Sequence, residues 1–174
     1  VYNTLLIDEL SWQDIMSDWW GNKYSYQIGL FFTTSNMSLP DFRIEYTLTR
    51  PWTYTHPDFS YSHRERSLGS PYGPSSRSIR FESFYFPTTR IMLKAYLDYI
   101  QKGDGFGSEI HHNYDLRNKT LDWDTKLYVG EINNDLLGQI TGTYIFSDLI
   151  KFGYNYNYSI QNKAQHEAIF YFNW

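Results

Sequence analysis

Apolar and aromatic residues recur at every second position along most of the chain. From Lys23 to Phe32, Tyr24, Tyr26, Ile28, Leu30 and Phe32 alternate with Lys23, Ser25, Gln27 and Gly29, and a period of two is that of a β-strand. The same alternation sets Phe42, Ile44, Tyr46 and Leu48 against Arg43, Glu45, Thr47 and Thr49, and Ile91, Leu93, Ala95, Leu97 and Tyr99 against Lys94 and Asp98. Towards the end, Phe152, Tyr154, Tyr156 and Tyr158 alternate with Gly153, Asn155, Asn157 and Ser159, and Ala168, Phe170, Phe172 and Trp174 with Glu167 and Asn173. Together with 1–10, 79–86 and 135–146, the pattern predicts about eight strands, most of them about ten residues long.

Strands of this length with one continuous apolar face match a tilted strand crossing a bilayer, for which ~9–11 residues suffice. The connections alternate in length, with tight turns expected at Pro87-Thr88-Thr89 and Ser147-Asp148 and long segments at 11–22, 55–78 and 102–134. Outer-membrane barrels alternate short periplasmic turns with longer external loops. The expected fold is therefore an all-β antiparallel transmembrane barrel, a single domain over 1–174. Its three long loops would lie outside the cell and both chain ends at the periplasmic side. The competing architecture is a soluble sandwich or lipocalin-like barrel with the apolar face turned inward. In the membrane reading the polar face is the lumen. It carries Arg43 and Glu45 on one strand, Arg80 and Glu82 on the next, Lys94 and Asp98 on the third, which antiparallel neighbours can match as opposite-sign pairs. Such a network fills a barrel interior or lines a polar path.

Composition adds to this picture. Seventeen Tyr, 12 Phe and 6 Trp make 20% of the residues aromatic, yet the mean hydropathy is −0.55, as expected when rings occupy one phase of a strand and polar groups the other. Transmembrane helices need runs of roughly 18 or more apolar residues, and the chain has none. A net charge of −4 gives no electrostatic footprint for nucleic acid. With no cysteine, disulfides, thiolate metal sites and thiol nucleophiles are excluded. The chain opens on Val1 without an initiator Met or a basic-then-apolar leader, as expected of a mature protein or an internal fragment.

The stretch Ile44-Glu45-Tyr46-Thr47-Leu48-Thr49-Arg50-Pro51-Trp52-Thr53-Tyr54-Thr55-His56 resembles the capsule assembly Wzi family. The following loop, from Tyr61-Ser62-His63-Arg64 to Leu68-Gly69-Ser70-Pro71-Tyr72-Gly73-Pro74, is similar to that family's Tyr-Thr-His and Leu-Gly-His-Pro-Leu-Gly-Pro pattern. Ser70 stands in place of a His and Tyr72 in place of a Leu. Arg80-Phe81-Glu82, Asn134-Asp135-Leu136-Leu137-Gly138 and Asp148-Leu149-Ile150-Lys151-Phe152-Gly153-Tyr154 extend the likeness over most of 20–174. The resemblance implies the C-terminal portion of a larger barrel of about eighteen strands. It also implies a Gram-negative outer-membrane location and a non-enzymatic lectin role, holding capsular or surface polysaccharide. The alternative is a pore, or a structural subunit of a larger outer-membrane assembly with protein partners.

Rings beside acids, amides and Arg suit a carbohydrate, whose C–H faces stack on aromatics while its hydroxyls take polar partners. On that ground Trp52, Tyr54, Tyr61, His63, Arg64, Tyr72, Asp122 and Trp123 are the candidate glycan contacts, with Trp52 and Tyr54 alternatively expected in an interfacial girdle. Trp19-Trp20 is expected as an interfacial anchor and Ser11–Met16 as one helical turn. The Gly-rich 102–107 run is expected as a turn, and 126–130 as a short extra strand. His111-His112 lacks zinc spacing, and Ser62-His63 and Ser108 near His111 lack an evident third group to orient a hydrolytic His. No cofactor, metal or catalytic residue is expected.

Overall fold

The computed structural model describes residues 1–15, 17–36, 39–56, 61–64, 66–147, 150–160 and 165–172. Eight strands form one antiparallel sheet: β1 (Tyr2–Glu9), β2 (Lys23–Phe32), β3 (Asp41–Thr49), β6 (Ser76–Thr88), β7 (Ile91–Gly103), β8 (Ile132–Ile145), β9 (Ile150–Ser159) and β10 (Gln165–Phe172). The remaining two, β4 (Ser62–His63) and β5 (Arg66–Ser67), make a small hairpin between β3 and β6. The order across the sheet is β1-β2-β3-β6-β7-β8-β9-β10, so each long strand pairs with its neighbour in the chain. Among the described residues, β1 pairs only with β2 and β10 only with β9. The sheet formed by this chain is open.

Registers place the two phases on opposite faces. One row of directly opposed residues runs Leu30, Ile44, Phe81, Leu97, Gly138, Tyr158. The adjacent row of the other phase runs Gly29, Glu45, Arg80, Asp98, Leu137, Ser159. The apolar face is bare: Ile28, Leu30, Ile44, Ile79, Phe81, Leu97 and Ile140 are all exposed. Ser25, Thr47, Thr49, Ser78, Glu82 and Asp98 of the polar phase are buried. This is the reverse of a water-soluble sheet, which turns its apolar phase inward.

β6, β7 and β8 are longer than the apolar alternation predicts, and most of the extra length lies at the end away from the short turns. Here Arg77, Gln101 and Asn134 stand opposite one another, with Arg77 Nε donating to Gln101 Oε1 at 2.6 Å and Gln101 Nε2 to Asn134 Oδ1 at 2.7 Å. Backbone pairing continues where the apolar pattern has stopped. At the other end, β6 runs through Pro87 and the turn is Thr89-Arg90, not Pro87-Thr88-Thr89. Phe86 and Pro87 oppose Met92 alone in a bulge, the arrangement that spares a residue without an N–H a place in the ladder. The 126–130 segment forms no strand, and 11–15 forms turns instead of a helix, with the Ser11 hydroxyl donating to Asp14 Oδ2 at 2.7 Å. Met16, Asp148 and Trp174 lie outside the described residues.

The long segments gather at the end where the strands extend, and both termini of the sheet lie at the opposite, short-turn end. Gly29 has a specific task there. A Cβ at Gly29 would lie 2.2 Å from the ring of Tyr2, which crosses it so that the Tyr2 hydroxyl can donate to Glu45 Oε2 at 2.6 Å, two strands away. That bond ties the edge strand to the charged face. Gly29→Val is expected to displace Tyr2, and Tyr2→Phe to cost about 1–2 kcal/mol. Amide exchange across β1, measured by mass spectrometry, should speed up in both variants while β7 and β8 stay unchanged.

Candidate functional site

The polar face brings all six predicted charges together. Arg43 sits opposite Glu82, and Glu45 opposite Arg80, which in turn faces Asp98. Signs thus alternate both along and across the strands, which is what makes a dense set of charges tolerable at low solvent exposure. Arg43 Nη2 lies 2.5 Å from Glu82 Oε2, and Arg80 Nη1 and Lys94 Nζ each lie 3.9 Å from Glu82 Oε1. Arg80 donates to Asp98 Oδ2 from Nε at 2.9 Å and from Nη2 at 2.5 Å.

The loop after β3 folds down onto this face. Tyr72, one of the predicted glycan contacts, donates its hydroxyl to Asp98 Oδ2 and accepts from Arg80 Nη2 at 3.2 Å. Burial, then the Asp98 carboxylate, push the Tyr72 hydroxyl well above the ordinary tyrosine range, so it remains a donor at any physiological pH. Tyr54 supports the same loop. Its hydroxyl accepts from Ser70 N–H at 3.1 Å, its ring abuts Gly69, and its own N–H donates to Asp8 Oδ2 at 2.9 Å. Between loop and sheet lies a cavity of 490 Å³ bordered by Arg43, Glu45, Tyr54, Tyr72 and Arg80.

Above the sheet, segments 11–15, 17–22, 50–56 and 103–131 pack into one cap. Arg50 is the staple, buried, with Nε donating to Asn22 O at 3.2 Å and Nη2 to Trp19 O at 3.3 Å and Thr125 O at 3.1 Å. Lys23 Nζ, fully buried, is 2.8 Å from Glu9 Oε2 and 4.0 Å from the centre of the Tyr114 ring. Trp20 N–H donates to Asp122 O, and its ring lies 3.6 Å under the Arg117 guanidinium. Trp20 is thus part of the cap interior and not an interfacial anchor, with Trp19 half-buried beside it. Two 3-10 turns, Tyr114–Leu116 and Lys119–Leu121, start on Asn113 and Asn118, whose Oδ1 atoms accept from Asp115 and Thr120 N–H.

Trp52 and Tyr54, at 4% and 1% exposure, are core residues of the cap and neither stands in a girdle. Both hold positive φ, 64° and 74°, a conformation costing non-glycine residues roughly 1–3 kcal/mol. Partners hold them there: Trp52 N–H donates to Gly107 O at 2.9 Å. Gly107, at φ 110°, has room only for hydrogen, because a Cβ would lie 2.6 Å from the Trp52 indole.

A second cavity, of 370 Å³, opens between the cap segments and is bordered by Trp20, Trp52, Phe106, Arg117, Asp122, Asp124 and Lys126 among others. Of the eight predicted glycan contacts, only Trp52 and Asp122 meet here. Tyr54 and Tyr72 border the lower cavity. Tyr61, His63 and Arg64 are exposed around the small hairpin, and Trp123 is exposed beside Trp19, ring centres 6.4 Å apart. The candidate glycan contacts are thus spread over the two cavities, the small hairpin and the Trp19–Trp123 ring pair, with Tyr61 lying against Tyr54, ring centres 5.9 Å apart. Arg50, Lys23, Trp20, Phe106 and Arg117 were not foreseen. For Lys23 the signal was present, since it continues the polar phase of β2 ahead of the first apolar residue and directs a cation towards the cap; Arg50 falls in the apolar phase of β3, one residue past its end, and no alternation reports it.

His111 and His112 lie with ring centres 5.0 Å apart. His112 Nδ1 accepts from Gly107 N–H at 2.9 Å, and Ser108 donates to Gly105 O at 2.7 Å. Among the described residues no group of His, Asp and Glu is placed to hold a metal ion. Comparison of the chain with family models, with curated proteins and with solved structures finds no match.

Two outcomes are expected. Asp98→Ala leaves Arg80 and Tyr72 without their acceptor and should cost about 3 kcal/mol, against about 1 kcal/mol for Tyr72→Phe, measured by urea titration of the refolded chain. Burial, then the neighbouring His111, lower the His112 pKa. The cap therefore favours neutral His112, whose contribution is complete above the ordinary histidine value near 6.5 and is lost as pH falls through the depressed folded value. Exchange at the Gly107 amide, corrected for its intrinsic rate, should accelerate on acidification, and His112→Gln should flatten that response.

Proposed function

We propose that the chain is a strand-forming part of an outer-membrane β-barrel whose cap holds surface polysaccharide. The observation that carries the membrane reading is the inverted burial, with the apolar phase bare and the charged phase covered. A bare apolar face of this extent is unstable in water but suits lipid. Along β7, Ile91 to Tyr99 spans eight rises of ~3.4 Å, ~27 Å along the strand, and ~21 Å along the bilayer normal at a tilt of ~40°, close to the ~25 Å apolar band of outer-membrane barrels. Polar Arg77, Gln101 and Asn134 would then lie at the outer border of the band. The two free sheet edges support membership of a larger barrel, because unpaired strand edges are not tolerated in hydrocarbon. The completing strands would come from more of the same polypeptide or from another chain.

The polysaccharide role is supported by the likeness of 44–56 and 61–74 to the capsule assembly Wzi family, and by a cap that offers aromatic walls and hydroxyl-binding groups. We do not propose hydrolysis. A second reading, a structural subunit whose open edges pair with a partner barrel protein, is favoured by the same free edges.

The test has two arms. Leu97→Arg on the bare face should cost roughly 2–4 kcal/mol in a bilayer and reduce the heat-modifiable folded band after refolding into vesicles; an unchanged band would overturn the membrane reading. Replacing 113–128 with a Gly-Ser linker in the native protein should preserve heat-modifiable migration while releasing surface polysaccharide from the cells. Full retention of polysaccharide would overturn the lectin role and leave the subunit reading.

A further inference from the structure

We infer that the 370 Å³ cap cavity selects uncharged sugar residues, a refinement that rests on the polysaccharide reading above. Its charged lining consists of two cations and two anions, and the one cation with a planar donor fork, Arg117, is already bonded within the protein. Arg117 donates from Nε to Asp122 Oδ1 at 2.8 Å and from Nη2 to Asp122 Oδ2 at 3.0 Å, while Nη1 donates to Tyr114 O at 3.1 Å. Its flat face is laid on Trp20 at 3.6 Å. The guanidinium fork that would grip a carboxylate, sulfate or phosphate is therefore spent within the protein. Lys126 Nζ stands 4.0 Å from Asp124 Oδ1, both side chains largely in water. An acidic sugar entering here finds no guanidinium fork free, and the cation left to it, Lys126, is a water-screened ammonium beside the Asp124 carboxylate.

What remains on offer suits a neutral ring. Phe106 is 45% exposed and stands edge-on to Trp52, ring centres 5.1 Å apart. This gives an apolar wall for the C–H face of a pyranose, while the exposed Asp124 carboxylate and Lys126 ammonium can each bond hydroxyls. At 370 Å³ the cavity lies at the small end of ligand sites, roughly 300–1,000 Å³, a size for a short stretch of a chain threading across the cap. Trp52 is held there in a left-handed backbone conformation, a strain that the surrounding contacts sustain.

The experiment uses the complete protein in detergent micelles. It is immobilised and probed with an array of neutral oligosaccharides and of oligosaccharides bearing uronate, sulfate or phosphate, at low and high salt. In parallel, the polysaccharide of the native cell surface is tested for co-purification. Binding confined to neutral oligosaccharides and indifferent to salt is expected. Phe106→Ala should weaken it about tenfold and Phe106→Tyr restore it, which separates loss of the wall from loss of the fold. Preference for the charged oligosaccharides, weakened by salt, would overturn the selectivity and leave the polysaccharide reading standing. No array binding, or binding indifferent to Phe106→Ala, while native polysaccharide still co-purifies, would overturn this cavity as the site. Failure of native polysaccharide to co-purify would overturn the reading on which the inference rests.

Discussion

A carboxylate taken out of water needs donors close by, and Asp98, fully buried in the middle of β7, obtains them from two directions. Arg80 reaches it across the sheet and Tyr72 from the loop above. The second donor fixes more than a side chain. It draws the segment between the small hairpin and β6 down onto the polar face, and Tyr54, bonded to Ser70, supports that path from behind. The Tyr72–Asp98 bond is the loop's link to the polar face, and the Tyr54–Ser70 bond holds the same loop from the cap side. Without the loop, the charge would lack one of its partners.

Around this point the polar face works as a lattice of compensated charges and the apolar face as a plain hydrocarbon surface. The two are produced by one rule of strand geometry, alternation, and they make opposite demands on their surroundings. The lattice must be covered or hydrated with its signs matched, which the registers of β3, β6 and β7 achieve. The apolar face needs an apolar medium. The cap follows a third principle: its order comes from cations stacked on rings and bonded to backbone carbonyls, with Arg50 and Arg117 each joining segments far apart in sequence.

Alternation made the eight long strands, their order along the chain and the six charges of the polar face legible in the sequence, because each is encoded within a stretch of ten residues. Its failures have physical causes. The strands β6, β7 and β8 outrun their apolar patterns because Arg77, Gln101 and Asn134 continue the ladder with side-chain bonds of their own. Tyr72 looked like a sugar contact because rings in loops often are; only the fold shows that its loop descends to Asp98. Trp52 and Tyr54 followed the same logic and proved to be cap core. That assignment depends on Gly107 and Asp8, some 45 to 55 residues away, and no local pattern reports it. Whether eight strands close on themselves or belong to a larger barrel was not legible in strand number and length; among the described residues the pairing leaves both sheet edges without a partner strand.

The plain meander of the sheet has a kinetic side. Every long-strand pairing joins chain neighbours, so the sheet can be assembled hairpin by hairpin, each step closing a loop of modest entropy. The pairs β6–β7 and β8–β9, joined by the shortest turns, are the natural first events. The bonds that join Trp20 to Asp122 and Arg50 to Thr125 span far longer loops and have no register to guide them until the strands beneath are aligned. The cap therefore reports on completed strand order: a misregistered sheet would carry its loops to the wrong places and leave the buried Lys23 and Arg50 without their partners.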